Sequence, residues 1–142
     1  MYKLLLLTIA LFVAGCASGP IPYEGKDHPF RVAMRDMKGP YKTLENFEKD
    51  AALAPDAAKA SQELKALCMS TSEMKPGFLK PEQHDAYNKH FMEMVKVIDA
   101  FEPSFKNGDI KKAQGIFAEL AKVKKAAHGE FYKQAKKHRG EE

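Results

Sequence analysis

The stretch AYNKHFMEMVKVIDAFEPSF, residues 86–105, has the clearest periodicity in the chain and decides the fold class. Its large apolar side chains recur in alternating steps of four and three residues: Tyr87, Phe91, Met94, Ile98, Phe101 and Phe105. Because an α-helix has about 3.6 residues per turn, this spacing places all of these side chains on one face. The stretch therefore predicts an amphipathic helix with that face in a core.

Similar helical patterns lie on both sides of this stretch, and no segment alternates as a strand does. The first pattern covers about Pro29 to Asp50, the second starts at Pro55, and the third opens at Pro81. The turn Asn107-Gly108-Asp109 separates the third helix from a fourth. Four amphipathic helices joined by short connections predict an all-α fold, specifically an antiparallel up-down-up-down four-helix bundle.

The N-terminus predicts where the protein is delivered. Residues 1–16, MYKLLLLTIALFVAGC, contain one cation, an apolar run from Leu4 to Phe12 and small residues before Cys16. The run is too short to cross about 30 Å of hydrocarbon, so we predict a signal peptide over residues 1–15. Val13-Ala14-Gly15-Cys16 also resembles the lipobox of bacterial lipoproteins. We therefore expect a lipid on Cys16 and a periplasmic, membrane-anchored protein, with Ala17 favouring the outer membrane; a plain signal peptide is the alternative.

The mature chain is predicted to contain a tether and one folded unit. Residues 16–27 include the lipidated Cys and a Gly- and Pro-rich flexible tether, and residues 28–142 form the bundle. The formal net charge is +4, and Lys residues are concentrated in the last helix. Such a surface is typical of a solvated face or of a docking site for an acidic protein, and nucleic acid is not an expected partner. Cys68 has the helical spacing of a small buried side chain.

The fourth predicted helix carries one His within its apolar stripe. That stripe comprises Ile110, Ala113, Phe117, Leu120, Ala121, His128, Phe131 and Ala135. At about 100° per residue, His128 lies close to the direction of Ile110 and Phe117, which predicts that it faces the core. It can be a core His with satisfied hydrogen bonds, or a metal or cofactor ligand, since helix bundles mount such ligands on facing helices.

The predicted topology brings the start of the first helix beside the end of the fourth. Met34 and Met37 would then approach His128, and a thioether with an imidazole suits a six-coordinate haem iron. Periodicity centres Met37 better than Met34, and a kink at Pro40 could change which of them faces the core. Four small side chains would leave space for a flat group: Ala113, Ala121, Ala126 and Ala127. Three aromatic side chains could line that space: Tyr41, Phe117 and Phe131.

Two segments resemble the cytochrome b-562 family of four-helix b-type cytochromes. The final segment NGDIKKAQGIFAELAKVKKAAHGEF, residues 107–131, is similar to the last helix of that family, and MRDMKGPYKTLENFEK, residues 34–49, resembles its Met-bearing first helix. The similarity spans about residues 30 to 133 of the 142. The family's related c-type members attach haem through Cys-x-x-Cys-His, and here Lys124 and Ala127 occupy the Cys positions before His128.

The resemblance implies haem b that is bound without a covalent link, and a role in electron transfer with an unidentified redox partner protein. It implies Met34 and His128 as axial ligands, with Met37 as the alternative to Met34. The haem pocket that we expect comprises Tyr41, Phe117, Ala121, Lys124 and Phe131.

Two other functions remain open from the sequence. Soft ligands at Met34 and Met37, and in the His90–Met94 stretch, could bind Cu(I) in an envelope copper-binding module. The chain could also be a haem-free bundle with an interaction or structural role. We do not predict an enzyme, because no nucleophile lies near a base, no phosphate loop is present and no carboxylate pair shares a core face.

Overall fold

The computed structural model describes residues 27–138, and within this range it contains helices and no β-strand. The α-helices are α1 (Pro29–Asp36), α2 (Lys38–Lys49), α3 (Ala54–Ser72), α4 (His84–Asp99), α5 (Phe101–Lys106) and α6 (Ile110–His138). Four helical segments pack together: α1 with α2, then α3, then α4 with α5, then α6. The predicted all-α class is therefore confirmed. The predicted signal peptide, Cys16 and nearly all of the tether lie outside the described residues.

The first predicted helix is divided in two at Met37. Pro40 has no backbone N–H and cannot bond to the carbonyl of Asp36, so the helical ladder is interrupted there. The Met37 N–H still donates to the Ala33 carbonyl at 3.0 Å, and the Met37 carbonyl accepts from Tyr41 at 3.1 Å. The hydrogen-bond ladder is therefore interrupted between α1 and α2, and the chain is helical on both sides.

A proline also divides the third predicted helix. Pro103 lies one turn after the end of α4, and the short helix α5 begins directly after Ala100. The turn that follows contains Gly108, whose φ of 68° is in the left-handed region. Asp109 then accepts a hydrogen bond from the Lys112 N–H at 3.0 Å and caps the start of α6.

Specific bonds connect the segments. At the end of α3, the Thr71 carbonyl accepts a 2.8 Å hydrogen bond from the Tyr87 hydroxyl of α4. Near the start of α6, the Gln114 side chain donates to the Phe47 carbonyl at 3.0 Å and satisfies one of the last carbonyls of α2. Phe47 also packs against Phe105 of α5, with ring centroids 5.5 Å apart.

One part of the core is closed, in that apolar side chains fill it. It lies between the last turns of α2, the whole of α5 and the first half of α6. The side chains that are fully buried there include Leu44, Phe47, Phe101, Ala113 and Leu120. Most of the predicted stripe residues are buried, which confirms the helical periodicity as the signal for the core. Cys68 is also fully buried, and burial raises the pKa of its thiol to about 12.

None of the helices within residues 27–138 has the length and apolar character needed to cross a bilayer.

We expect Gly108→Ala to lower the free energy of unfolding by about 1 kcal/mol, because an L-residue with a side chain is strained at a positive φ. No neighbouring atom lies within 4 Å of the added methyl group, so the change in stability reports backbone strain without a steric clash. Gly115→Ala, at an exposed position inside α6, should instead raise stability by about 0.5 to 1 kcal/mol. Urea unfolding of both variants tests this, and equal effects of the same sign would contradict it.

Candidate functional site

A cavity of about 770 Å³ opens beside the closed core. Its walls come from α1 and the start of α2, from the first half of α4, from the second half of α6 and from the loop before α4. Closed protein cores contain few voids larger than a water molecule, whereas ligand pockets occupy about 300 to 1,000 Å³. The size of this cavity is therefore that of a binding site for a small molecule or a cofactor.

The cavity brings together the side chains that the sequence selected as ligands. Met34 and Met37 from the first segment and His128 from α6 all line it. Met37 is the more buried of the two methionines, with 6% of its surface exposed, and Met34 is half-buried. Both thioethers therefore remain candidates for one site.

His128 does not lie in the closed core, contrary to the prediction from helical periodicity. Its side chain is exposed along the open cavity, and its ring lies 5.7 Å from that of Tyr132. The reason is that the closed core ends before Lys124, so the same helix face that buries Phe117 and Leu120 borders the cavity one to two turns later.

The surroundings of His128 favour its neutral form. Partial burial lowers the pKa of the imidazole below its ordinary value, and the positive charge of Lys124 lowers it further. A neutral imidazole has the lone pair that a metal ion requires. His128 is therefore held in the protonation state of a ligand at neutral pH.

Tyr41 and Lys124 form one side wall of the cavity. The Lys124 ammonium lies over the Tyr41 ring, 3.7 Å from its centroid. Burial lowers the pKa of Lys124, with Glu45 opposing this shift. Burial also raises the pKa of Tyr41, and the carboxylates of Glu45 and Glu48 add to that increase.

Two of the five expected pocket residues lie outside the cavity. Phe117 packs behind Tyr41, with ring centroids 5.2 Å apart, and Ala121 packs against the core. Tyr41, Lys124 and Phe131 do line the cavity. The difference arises because the cavity follows only the second half of α6, which begins after Ala121.

The mouth of the cavity is cationic and its floor is apolar. Among the Asp, Glu, Lys and Arg residues that line it, the cations are Arg31, Arg35, Lys38, Lys42 and Lys124, and the anion is Glu45. The apolar lining includes Phe30, Leu64, Phe78, Phe91 and Met94. Such a site suits a ligand with an apolar body and acidic groups at its edge.

Several lining residues were not identified from the sequence. Phe78 comes from the loop before α4, and its ring lies 5.5 Å from that of Phe30. Phe91 was predicted only as a core position, and Met94 was predicted as a core position and as part of the stretch that could bind Cu(I). Both line the cavity. A loop residue has no periodicity that could have predicted its place, whereas the α4 stripe indicated a buried face without showing what it borders.

His90 and Glu130 form a second polar feature of the site. His90 lines the cavity, and its Nε2 atom lies 2.7 Å from a carboxylate oxygen of Glu130 on α6. The Nδ1 atom of His90 is buried and has no hydrogen-bond partner. The ring also lies edge-on to Phe131, with centroids 5.7 Å apart.

Comparisons with protein-family models, with curated proteins and with solved structures gave no match to this chain. Within the described part of the chain, no three His, Cys, Asp or Glu side chains are grouped so that they could hold a metal ion. The chemistry of the cavity must therefore be inferred from its own residues, including its Met side chains.

We expect Lys124→Met to raise the pKa of His128, because it removes the nearby positive charge and retains an apolar chain of similar length. NMR titration of the imidazole ring protons measures this shift. Since the folded pKa of His128 lies below its ordinary value of 6.5, protonation favours the unfolded chain, and stability should fall as the pH drops below about 6.5. That loss should be smaller in Lys124→Met.

The matched control is Lys125→Met, because Lys125 is exposed and does not line the cavity. An unchanged His128 pKa in Lys124→Met, or an equal shift in both variants, would contradict the assigned cause.

Proposed function

We propose that this protein is a haem b-binding electron-transfer protein of the bacterial cell envelope. The observation that carries the proposal is a single cavity lined by His128, Met34 and Met37, with an apolar floor and a cationic mouth. Following the resemblance to the cytochrome b-562 family, the proposed axial ligands are Met34 and His128, with Met37 as the alternative to Met34.

The residues present fit haem b in three respects. A neutral imidazole and a thioether are an established ligand pair for haem iron, and they raise its reduction potential. The volume and the aromatic lining suit a flat apolar ring. The cations at the mouth, among them Arg31, Arg35 and Lys38, suit the two carboxylates of haem b.

The proposed topology is the antiparallel up-down-up-down bundle. Contacts between α3 and α4 support it, because Thr71 bonds to Tyr87 whereas the earlier Lys65 pairs with the later Asp99. Between the first segment and α6, Phe47 meets Gln114 and the earlier Tyr41 meets the later Lys124. In each pair, residue numbers fall along one segment as they rise along the other, which is the pattern of antiparallel neighbours.

Haem b would supply an iron that exchanges one electron between its ferric and ferrous states. The chain's own contribution is to favour the neutral form of His128, to present a thioether from the first segment and to line the site with aromatic side chains. If Met34 and His128 both held the iron, it would have no position open to a substrate. The role we propose is therefore that of an electron carrier and not of an enzyme.

The proposed location is the periplasm, with attachment to a membrane, favoured as the outer membrane, through a lipid on Cys16. The lipobox-like segment before Cys16 supports this proposal. A redox partner with an acidic surface would complement the excess of Lys in α6 and the cations at the cavity mouth.

Copper binding is the second candidate function. One observation favours it: His90 and Met94, one turn apart on α4, line the same cavity as Met34, Met37 and His128. Thioether and imidazole groups select Cu(I). Met92, which belongs to the same stretch of sequence, is 45% exposed and does not line the cavity.

We expect haemin titration of the purified protein to give a sharp Soret band, with split visible bands after reduction. His128→Ala and Met34→Ala should each abolish the six-coordinate spectrum, because each removes one axial ligand. Visible absorption spectra of both redox states measure this. Met92→Leu is the control, since this exposed methionine lies outside the cavity.

Loss of the spectrum in Met37→Ala instead of Met34→Ala would move the axial ligand to the junction between α1 and α2. A folded helical protein that leaves haemin unbound would contradict the proposed function. Binding of Cu(I) by that protein would then favour the copper module, and its absence would favour a haem-free interaction or structural bundle.

We expect the charge at the cavity mouth to control electron exchange with small ions. Oxidation of the reduced, haem-loaded protein by anionic hexacyanoferrate(III) should slow by about tenfold between about 0.01 and 1 M NaCl, because salt screens the attraction. Stopped-flow absorption measures these rates. Lys38→Glu should weaken the salt dependence, whereas Lys111→Glu, outside the cavity, should change it less. A rate that does not depend on salt would refute the prediction.

A further inference from the structure

Four cationic side chains form one row along the first segment, at the mouth of the cavity. Arg31, Arg35, Lys38 and Lys42 all line the cavity, and they follow one another in steps of four, three and four residues. This spacing places them on one face of a helix. Met37, where α1 ends, has the helical backbone angles φ −63° and ψ −22°, so the row continues from α1 into α2. We call these four side chains the cationic row.

The stability of the helices does not explain the cationic row. Like charges three or four residues apart on a helix repel each other and destabilise it. Arg35, Lys38 and Lys42 are exposed. Arg35 lies 3.7 Å from Asp36 and Lys42 lies 2.7 Å from Glu45, and exposed ion pairs of this kind contribute little to stability. The row is better explained by an anionic partner outside the chain.

Haem b would not neutralise the mouth of the cavity. Among the Asp, Glu, Lys and Arg residues that line it, the cations are the four of the row and Lys124, and the anion is Glu45. Haem b has two carboxylates, so positive charge stays in excess at the mouth after it binds. The anionic partner is therefore additional to the cofactor.

The cationic row belongs to the end of the domain that follows the predicted lipid anchor. Eleven residues, 17–27, separate Cys16 from His28, and a fully extended chain of this length spans at most about 40 Å. The helix α1 begins at Pro29, and Arg31 in its first turn already lines the mouth. The anchor would therefore keep the row within reach of the membrane surface, at a high effective concentration.

An anionic membrane surface suits the row better than an acidic protein does. Phospholipid headgroups attract Lys and Arg within about one Debye length, roughly 8 to 10 Å, and require no matching geometry. Each contact is weak, but a lipid anchor with a cationic patch forms a stable pair of signals. Tyr132 is 50% exposed and lines the same mouth, and its ring is of the amphipathic kind that is enriched at membrane–water interfaces.

We infer that the cationic row docks the mouth of the cavity onto anionic phospholipids of the membrane that holds the lipid of Cys16. This inference rests on the lipid anchor of the proposed function and goes beyond it, because it gives the domain an orientation on the membrane. Lys111, Lys112 and Lys133 of α6 are exposed outside the cavity and remain available to an acidic redox partner.

The test is lysine modification of the purified, lipidated, haemin-loaded protein in lipid nanodiscs. One set of nanodiscs contains phosphatidylcholine alone, and the other also contains anionic phosphatidylglycerol. A water-soluble acetylating reagent labels accessible amines, and mass spectrometry gives the labelling rate of each Lys and shows whether Cys16 carries a lipid. Lys38 of the row is compared with Lys111 and Lys112, which are exposed outside the cavity.

We expect phosphatidylglycerol to slow the labelling of Lys38 by about fivefold or more and to leave Lys111 and Lys112 nearly unchanged. NaCl at about 0.5 M should abolish this protection, because salt screens the attraction. The double variant Arg35→Glu/Lys42→Glu should also lose the protection of Lys38. Lys111→Glu/Lys112→Glu is the matched control, since it changes the net charge equally and should keep the protection. Circular dichroism checks that both variants are folded.

Equal labelling of Lys38 in the two sets of nanodiscs would overturn the inference, and so would equal protection of Lys111 and Lys112. Protection of Lys38 by added poly-glutamate, but not by phosphatidylglycerol, would assign the row to an acidic protein and overturn it as well. A purified protein without a lipid on Cys16 would remove its basis.

The same measurement without haemin separates the inference from the haem proposal. Protection of Lys38 by phosphatidylglycerol in a protein that does not bind haemin would support the docking and contradict the proposed cofactor. A protein that binds haemin and shows no such protection would overturn the docking alone.

Discussion

The opening of the core depends on a change in side-chain character along one face of α6. The first half of this helix places Ala113, Phe117 and Leu120 in a closed core, where large and small apolar groups fill the space between the segments. The next positions on that face are Lys124, Ala127 and His128, which are too small or too polar to close it. Phe131 and Ala135 are buried again and also line the cavity. The cavity therefore exists because the side chains that fill the core in the first half of α6 are followed, on the same face, by side chains that do not fill it.

The same part of α6 determines the chemistry of the cavity. The Lys124 ammonium stacks on the Tyr41 ring, and its positive charge lowers the pKa of His128. The helix that opens the core therefore also favours the neutral form of its imidazole. Across the cavity, Met34 and Met37 lie three residues apart and therefore share one face of the helical segment. As a result, both of them line the cavity.

The helices and the core were largely predictable, because their signals are local in the chain. The α4 stripe, the proline positions and the Gly108 turn predicted the elements to within a few residues, although each of two predicted helices is divided near a proline. The site was only partly predictable. Met34, Met37, Tyr41, Lys124 and Phe131 line the cavity as expected, whereas Phe117 and Ala121 do not. Periodicity identifies the direction of a side chain but not whether the core is closed at its level.

By itself, the sequence determined the all-α class, the closed half of the core and the presence of one imidazole on an apolar helix face, because each follows from spacing along a single helix. Only the tertiary structure decided that His128 borders a cavity, that the loop residue Phe78 lines it, and that His90 meets Glu130 across 40 residues of chain. Those facts depend on how separate segments pack. No local pattern encodes the distance between two side chains on different helices.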